Sequence, residues 1–181
     1  MDTSFDQIPE HPCFPAAILS SPKFSRNVSG ILRAANCFGI QQIAFTGERI
    51  AEDLRNFSRL PREERMKDYK KVDLFNIERP FDYFREGTPV AVELTPGTEC
   101  LSTFEHPQNA VYVFGPEDGS IPSVFKRHCH RFISIPSYHC LNLAAAAYVV
   151  FYDRAVKAGW QGNMLLEDRG FIITETESTL G

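Results

Sequence analysis

The sequence predicts an α/β fold built on a largely parallel sheet, and three observations carry that prediction. Short apolar runs recur at Ala16–Leu19, Gln42–Phe45, Val72–Phe75, Pro89–Leu94, Ala110–Phe114 and Phe132–Ile135. Each is of strand length and is followed by polar residues, Gly or Pro. Between the first two runs, Asn27–Phe38 places Val28, Ile31, Leu32, Ala35 and Phe38 at helical spacing. Near the end, Leu143–Tyr152 is apolar on every side, with no polar stripe before Asp153, Arg154 and Lys157, which predicts a helix buried all round. Strands alternating with helices favour parallel pairing through crossover connections.

Taken in order, Met1–Pro15 is polar and proline-rich and reads as an arm. The strand Ala16–Leu19 leads through a loop containing Pro22 into the first helix, which Gly39 stops. Gln42–Phe45 and Gly47 follow. Glu48–Lys71 then changes character: Arg49, Arg55, Arg59, Arg62, Arg65, Lys67, Lys70 and Lys71 are interleaved with acids. Val72–Phe75 is a short strand and Phe81–Arg85 a helical turn. The strand Pro89–Leu94 ends at Thr95-Pro96-Gly97, and Ala110–Phe114 ends at Gly115-Pro116-Glu117-Asp118-Gly119. Ser123–His128 reads as a short helix. Phe132–Ile135 is closed by Pro136, and a polar loop, Ser137–Cys140, opens into the apolar helix, which Gly159 terminates. The organisation is an arm over 1–15, one domain over 16–160 and a tail over 161–181.

The 181 residues suit a single core, and 43% hydrophobic with 23% charged content is ordinary for a soluble domain. The longest apolar run is about half of the roughly 20 residues a membrane span needs, and no signal peptide is evident. Five cysteines without regular spacing fit reduced thiols in a cytoplasm. A net charge of −4 argues against nucleic-acid binding by bulk attraction and leaves room for a local basic patch. There is no G-x-G-x-x-G and no Walker P-loop. His128, Cys129, His130, His139 and Cys140 match no zinc spacing, so no metal is predicted. Cys140 beside His139 has no third group to complete a nucleophile triad.

Three loop motifs follow strands: Asn27-Val28-Ser29-Gly30-Ile31-Leu32-Arg33, Phe114-Gly115-Pro116-Glu117-Asp118-Gly119, and Cys140-Leu141-Asn142-Leu143-Ala144. Each has an ordinary structural explanation. Asn27 and Asn142 suit helix N-caps, Arg33 a surface cation, Glu117–Gly119 a turn, and the alanines close helix packing. Six positions apart, Asn27 and Arg33 share no helix face, so their pairing predicts Asn27 in the entering loop. The strand, loop and helix start at Phe132–Asn142 form a common small-molecule site in α/β proteins.

Together and in this order, the motifs resemble those of the SpoU–TrmH type of RNA ribose methyltransferases in the SPOUT superfamily. The likeness spans about Ala16–Trp160, with Ile135-Pro136 preceding the third motif. It implies a knotted, Rossmann-like α/β fold, the trefoil knot of that superfamily. It also implies a homodimer with sites at the subunit interface and S-adenosylmethionine as cofactor. Leu94, Thr95, Gly115, Ile135, Cys140 and Leu141 fall where the cofactor would be lined. Arg33, Asn27, Glu117 and Asn142 fall where the family performs methyl transfer to a ribose 2′-hydroxyl. Arg33 suits a phosphate, and Arg55, Arg59, Arg62 and Lys67 form the candidate RNA patch. The resemblance also implies transfer RNA over ribosomal RNA as substrate, because minimal members of the family act on transfer RNA. Cys140 and Ala144 stand where the family commonly has Ser. They motivate an alternative, a knotted module that binds RNA without catalysis.

Overall fold

The alternation of apolar runs resolves into a seven-stranded sheet in the computed structural model, which describes residues 7–50, 53 and 72–159. The strands are β1 Ala16–Leu19, β2 Gln42–Phe45, β3 Asp73–Asn76, β4 Thr88–Val92, β5 Glu99–Cys100, β6 Ala110–Phe114 and β7 Arg131–Ser134. Their order is β3-β2-β1-β6-β4-β7-β5, and every pairing is parallel. The helices are α1 Ser25–Phe38, α2 Pro80–Tyr83, α3 Ser123–Lys126 and α4 Leu143–Lys157, with a 3₁₀ turn at Leu101–Thr103.

A parallel sheet is covered on both faces, and two clusters do this. Ala17, Leu19, Ile43, Phe45, Val90, Tyr112 and Phe114 point toward α1 and α4. Their neighbours Ala16, Ile18, Ala44, Ala91, Val111 and Val113 point to the other side, where Phe84, Ile121 and Cys129 cover them. The period-two alternation is therefore present inside runs that are apolar throughout. α1 stops where expected: Gly39 takes a left-handed conformation (φ 76°, ψ 24°) and Ile40 N–H bonds back to Ala35 O. Gly30 lies where α1 crosses α4; a Cβ there would come within 2.9 Å of Ala144 Cβ. Ala144 is thus part of a close helix crossing.

Several expectations need correction. α4 is buried only on the side of Ala147, Val150, Phe151 and Ala155, while Val149, Tyr152 and Val156 are exposed. A helix lying on one face of one sheet has a single cover, so an all-apolar sequence leaves a stripe in the open. β4 ends at Val92 rather than Leu94, and β7 begins at Arg131. β5, two residues long, was not expected, being too short to show a period. The arm is docked at its far end. Buried Gln42 receives Cys13 N–H at 2.8 Å and donates to His11 O at 3.0 Å, and Phe14 packs on the second cluster.

One buried polar network ties α4 to the loop before β6. His106, with its side chain 5% exposed, lies between Tyr112 OH at 2.6 Å and Asp153 at 2.8 Å. Lys157 Nζ reaches Asp153 at 2.7 Å and the carbonyls of Leu101 and Phe104. Burial pushes the His106 pKa down, outweighing Asp153, with Lys157 and Arg154 acting in the same sense as burial. The neutral ring then donates from Nε2 to Asp153 and accepts from Tyr112 at Nδ1. Because the folded-state pKa lies below the unfolded value of about 6.5, the unfolded chain binds the proton first. The contribution of His106 to stability is complete above that value and is lost as pH falls below it. The urea midpoint is expected to drop between about pH 7.5 and 5.5, and His106→Gln is expected to flatten that drop.

Candidate active site

In open parallel sheets, ligands bind beyond the carboxyl ends of the strands. Here the ends of β4, β6 and β7 meet the start of α4 around a cavity of about 360 Å³. Leu94, Gly115, Ile135, Cys140 and Leu141, all expected from the sequence, line it. Thr95, the next residue along from Leu94, is not among the lining residues. Glu93, Glu117, Ile121, Ser134, Ser137 and Leu143 contribute as well. The walls are mainly apolar, with two carboxylates, which suits a flat apolar ring system carrying hydroxyl or cationic groups.

Gly115 has a specific reason to be glycine. A Cβ there would stand 2.8 Å from Ile121 N and 3.1 Å from Ser120 C. The 115–121 loop folds back on itself, so its own backbone occupies the space a Cβ would need.

A chain of hydrogen bonds joins the three loop motifs. Asn142 caps α4, its Oδ1 accepting from Ala144 N–H at 2.9 Å and Ala145 N–H at 3.3 Å. Its Nδ2 donates to Asn27 Oδ1 at 3.0 Å, and Asn27 Nδ2 donates to Glu117 Oε1 at 2.6 Å. Glu117 also accepts from Lys23 N–H at 2.6 Å and Phe24 N–H at 3.3 Å. α1 has no acidic residue in its own first turn; Glu117 places a carboxylate at its positive end from another loop. Asp118, the next residue, receives both guanidinium nitrogens of Arg49 at 3.0 and 2.6 Å, with Lys23 at 3.4 Å. These cations hold the Asp118 carboxyl well below the usual range.

Asn27 was expected in the loop entering α1. It lies instead in the first helical turn and is 5% exposed. It reaches the other motifs because Glu117 and Asn142 come to it. Arg33, on a different face as the spacing requires, is exposed and does not line the cavity. Its charge acts on Tyr148 of α4, opposing the burial that raises that phenol. Arg55, Arg59, Arg62 and Lys67 lie outside the described residues.

Of the cysteines and histidines considered for metal, Cys129 is buried, its thiol donating to Phe125 O and pushed up to about 11 by burial. His128 stacks on Phe81 with centroids 4.4 Å apart. Among the described residues, no three His, Cys, Asp or Glu side chains stand together as metal ligands.

Comparison with known proteins agrees with this geometry. The SpoU rRNA Methylase family matches residues 16–152. No curated protein sequence matches significantly. A solved TrmH/SpoU tRNA modifying enzyme from A. aeolicus is 16% identical with a TM-score of 0.66, covering 86% of this chain and 77% of that one. An AdoMet-bound rRNA methyltransferase from Sinorhizobium meliloti is 20% identical with a TM-score of 0.59, over 80% and 57% of the two chains. A structure bearing on the 2-OH methylation of C/U34 on tRNA is 20% identical with a TM-score of 0.59, over 81% and 97%. Identities this low carry the fold alone.

Proposed function

Because the chain belongs to the SpoU rRNA methylase family, we propose that it is an S-adenosylmethionine-dependent RNA methyltransferase acting on a ribose 2′-hydroxyl. Transfer RNA is the favoured substrate, ribosomal RNA the second. The observation that carries this reading is the hydrogen-bonded chain Asn142–Asn27–Glu117, which joins the three motifs and reaches the cavity wall at Glu117.

The residues fit the cofactor. Leu94, Ile135, Leu141 and Leu143 give an apolar slot for adenine, and Glu117 gives the negative surroundings a sulfonium prefers. When bound, the cofactor supplies an electrophilic methyl group. The protein supplies position. Both polar atoms of Asn27 and of Asn142 are engaged, and Glu117 is tied to α1. These three are therefore positioning residues that fix α1 and α4 relative to the cavity. Arg33, exposed on α1, holds the RNA phosphate beside the target ribose through its planar fork. The exposed stripe Val149, Tyr152 and Val156 on α4 is the face for a second copy, in keeping with the homodimer. The protein acts in the cytoplasm.

The departures that favoured a non-catalytic module both have a structural place. Ala144 serves the helix crossing with Gly30, and Cys140 lines the cavity without joining the hydrogen-bonded chain. The test is calorimetry with S-adenosylmethionine, followed by methyl transfer to bulk transfer and ribosomal RNA. A 2′-O-methyl group blocks alkaline cleavage, so an alkali-resistant labelled dinucleotide is expected, from a sample whose light-scattering mass is a dimer. Cofactor binding without transfer to either RNA would return the reading to the binding module.

A further inference from the structure

Glu93 was not singled out by the sequence, yet it is the carboxylate set into the cavity wall. It follows β4 directly, and its N–H bonds to Ile133 O, so the strand pairing fixes its backbone. Its side chain is 13% exposed. Oε2 accepts from Ile121 N–H at 3.0 Å and faces Lys126 Nζ at 3.2 Å. Oε1 accepts no hydrogen bond from the described residues, so its acceptor capacity is open. Glu117, the other carboxylate of the cavity, has both oxygens engaged by Lys23, Phe24 and Asn27.

Resting on the cofactor reading above, we propose that Glu93 is the residue that recognises the ribose of the nucleoside, its Oε1 accepting from the 2′,3′-diol. Two features favour hydroxyls over the ligand's ammonium or sulfonium. Lys126 already neutralises Glu93, so the pair attracts a cation weakly, whereas it still accepts from neutral O–H groups. The anchor on Ile121 N–H holds the carboxylate rigidly, as discrimination between a diol and its deoxy analogue requires. Glu93 also joins β4 to the 115–121 loop, so ligand contact and loop closure meet in one side chain.

The experiment is a binding cycle read by calorimetry, with S-adenosylhomocysteine and its 2′,3′-dideoxy analogue as probes. The wild type is expected to bind the analogue roughly 10- to 100-fold more weakly, the range for a hydrogen bond to a charged group. Glu93→Ala is expected to bind both probes alike at the weaker level. Glu93→Gln retains an acceptor for Ile121 N–H and serves as the variant that keeps the loop if Glu93→Ala fails to fold; its discrimination is expected to fall well below that of the wild type. Full discrimination by folded variants overturns the assignment while leaving the cofactor reading intact. A loss seen for S-adenosylhomocysteine and absent for 5′-methylthioadenosine, which lacks the amino-acid part, also overturns it, because the carboxylate would then hold the amine. A wild type that binds no nucleoside overturns the cofactor reading and this inference together.

Discussion

Replacing Arg33 with alanine is expected to cut methyl transfer by roughly 10²- to 10³-fold, the scale for removing one fixed group that stabilises developing charge. Affinity for S-adenosylmethionine should stay within about two-fold, since surface substitutions away from a site rarely exceed ~0.5 kcal/mol. The separation follows from where α1 puts its residues. Asn27 faces inward and is locked to Glu117 and Asn142, while Arg33 faces out and does not line the cavity. Under the proposed function the two helix faces divide the work: the inner one fixes the cofactor loops, the outer one meets RNA. Arg33→Lys makes the test sharper. It keeps the charge and loses the planar fork that grips a phosphate through two hydrogen bonds, so its rate should fall between wild type and alanine, with a similar salt dependence to wild type. Methylation by Arg33→Ala at near the wild-type rate would remove Arg33 from the chemistry. A parallel loss of cofactor affinity would mean instead that α1 itself had shifted.

The fold was legible wherever an apolar run ended in a residue that cannot continue it. β1, β2 and β6 were read to the residue. What the sequence hid depends on distant segments meeting. Glu93 looks like one polar residue at the end of a strand until the 115–121 loop brings Ile121 N–H to it and α3 brings Lys126. Glu117 looks like part of a turn until Lys23, Phe24 and Asn27, some 90 positions away in sequence, present donors to it. Gln42 reads as a strand residue, although its amide anchors the arm through His11 and Cys13. Gly115 reads as one of the residues lining a cofactor, and the sequence does not show that its missing Cβ also makes room for the backbone of Ser120 and Ile121. The exposed stripe of α4 shows the converse: composition reported the apolar residues and could not report which side the sheet would cover.

The hydrogen-bonded chain Asn142–Asn27–Glu117 has a fixed direction, and Asn27→Asp should break it more severely than Asn27→Ala. Aspartate keeps an acceptor for Asn142 Nδ2 but turns the donor facing Glu117 Oε1, 2.6 Å away, into a second carboxylate oxygen. The site is 5% exposed, so solvent screens the repulsion poorly, and a buried unpaired charge costs about 3–5 kcal/mol. The variant's two carboxylates relieve the clash by sharing a proton, which raises one pKa in the folded state above its unfolded value. The folded state then binds more protons than the unfolded one, so stability rises as pH falls through the raised pKa. Asn27→Asp is accordingly least stable at neutral pH and recovers in mild acid, the opposite of the trend expected for His106 in the parent chain. The double change Asn27→Asp with Glu117→Gln restores one donor and one acceptor with the direction reversed. It should regain most of the loss at neutral pH, short of the bond from Phe24 N–H that Glu117 Oε1 also accepts. Urea midpoints of the parent, both single variants and the double variant at neutral and mildly acidic pH give the coupling directly. If Asn27→Asp is no less stable than Asn27→Ala at neutral pH, the Asn27–Glu117 contact does not hold α1 to the cavity loop, and Arg33 must be positioned by the α1–α4 crossing at Gly30 and Ala144 alone.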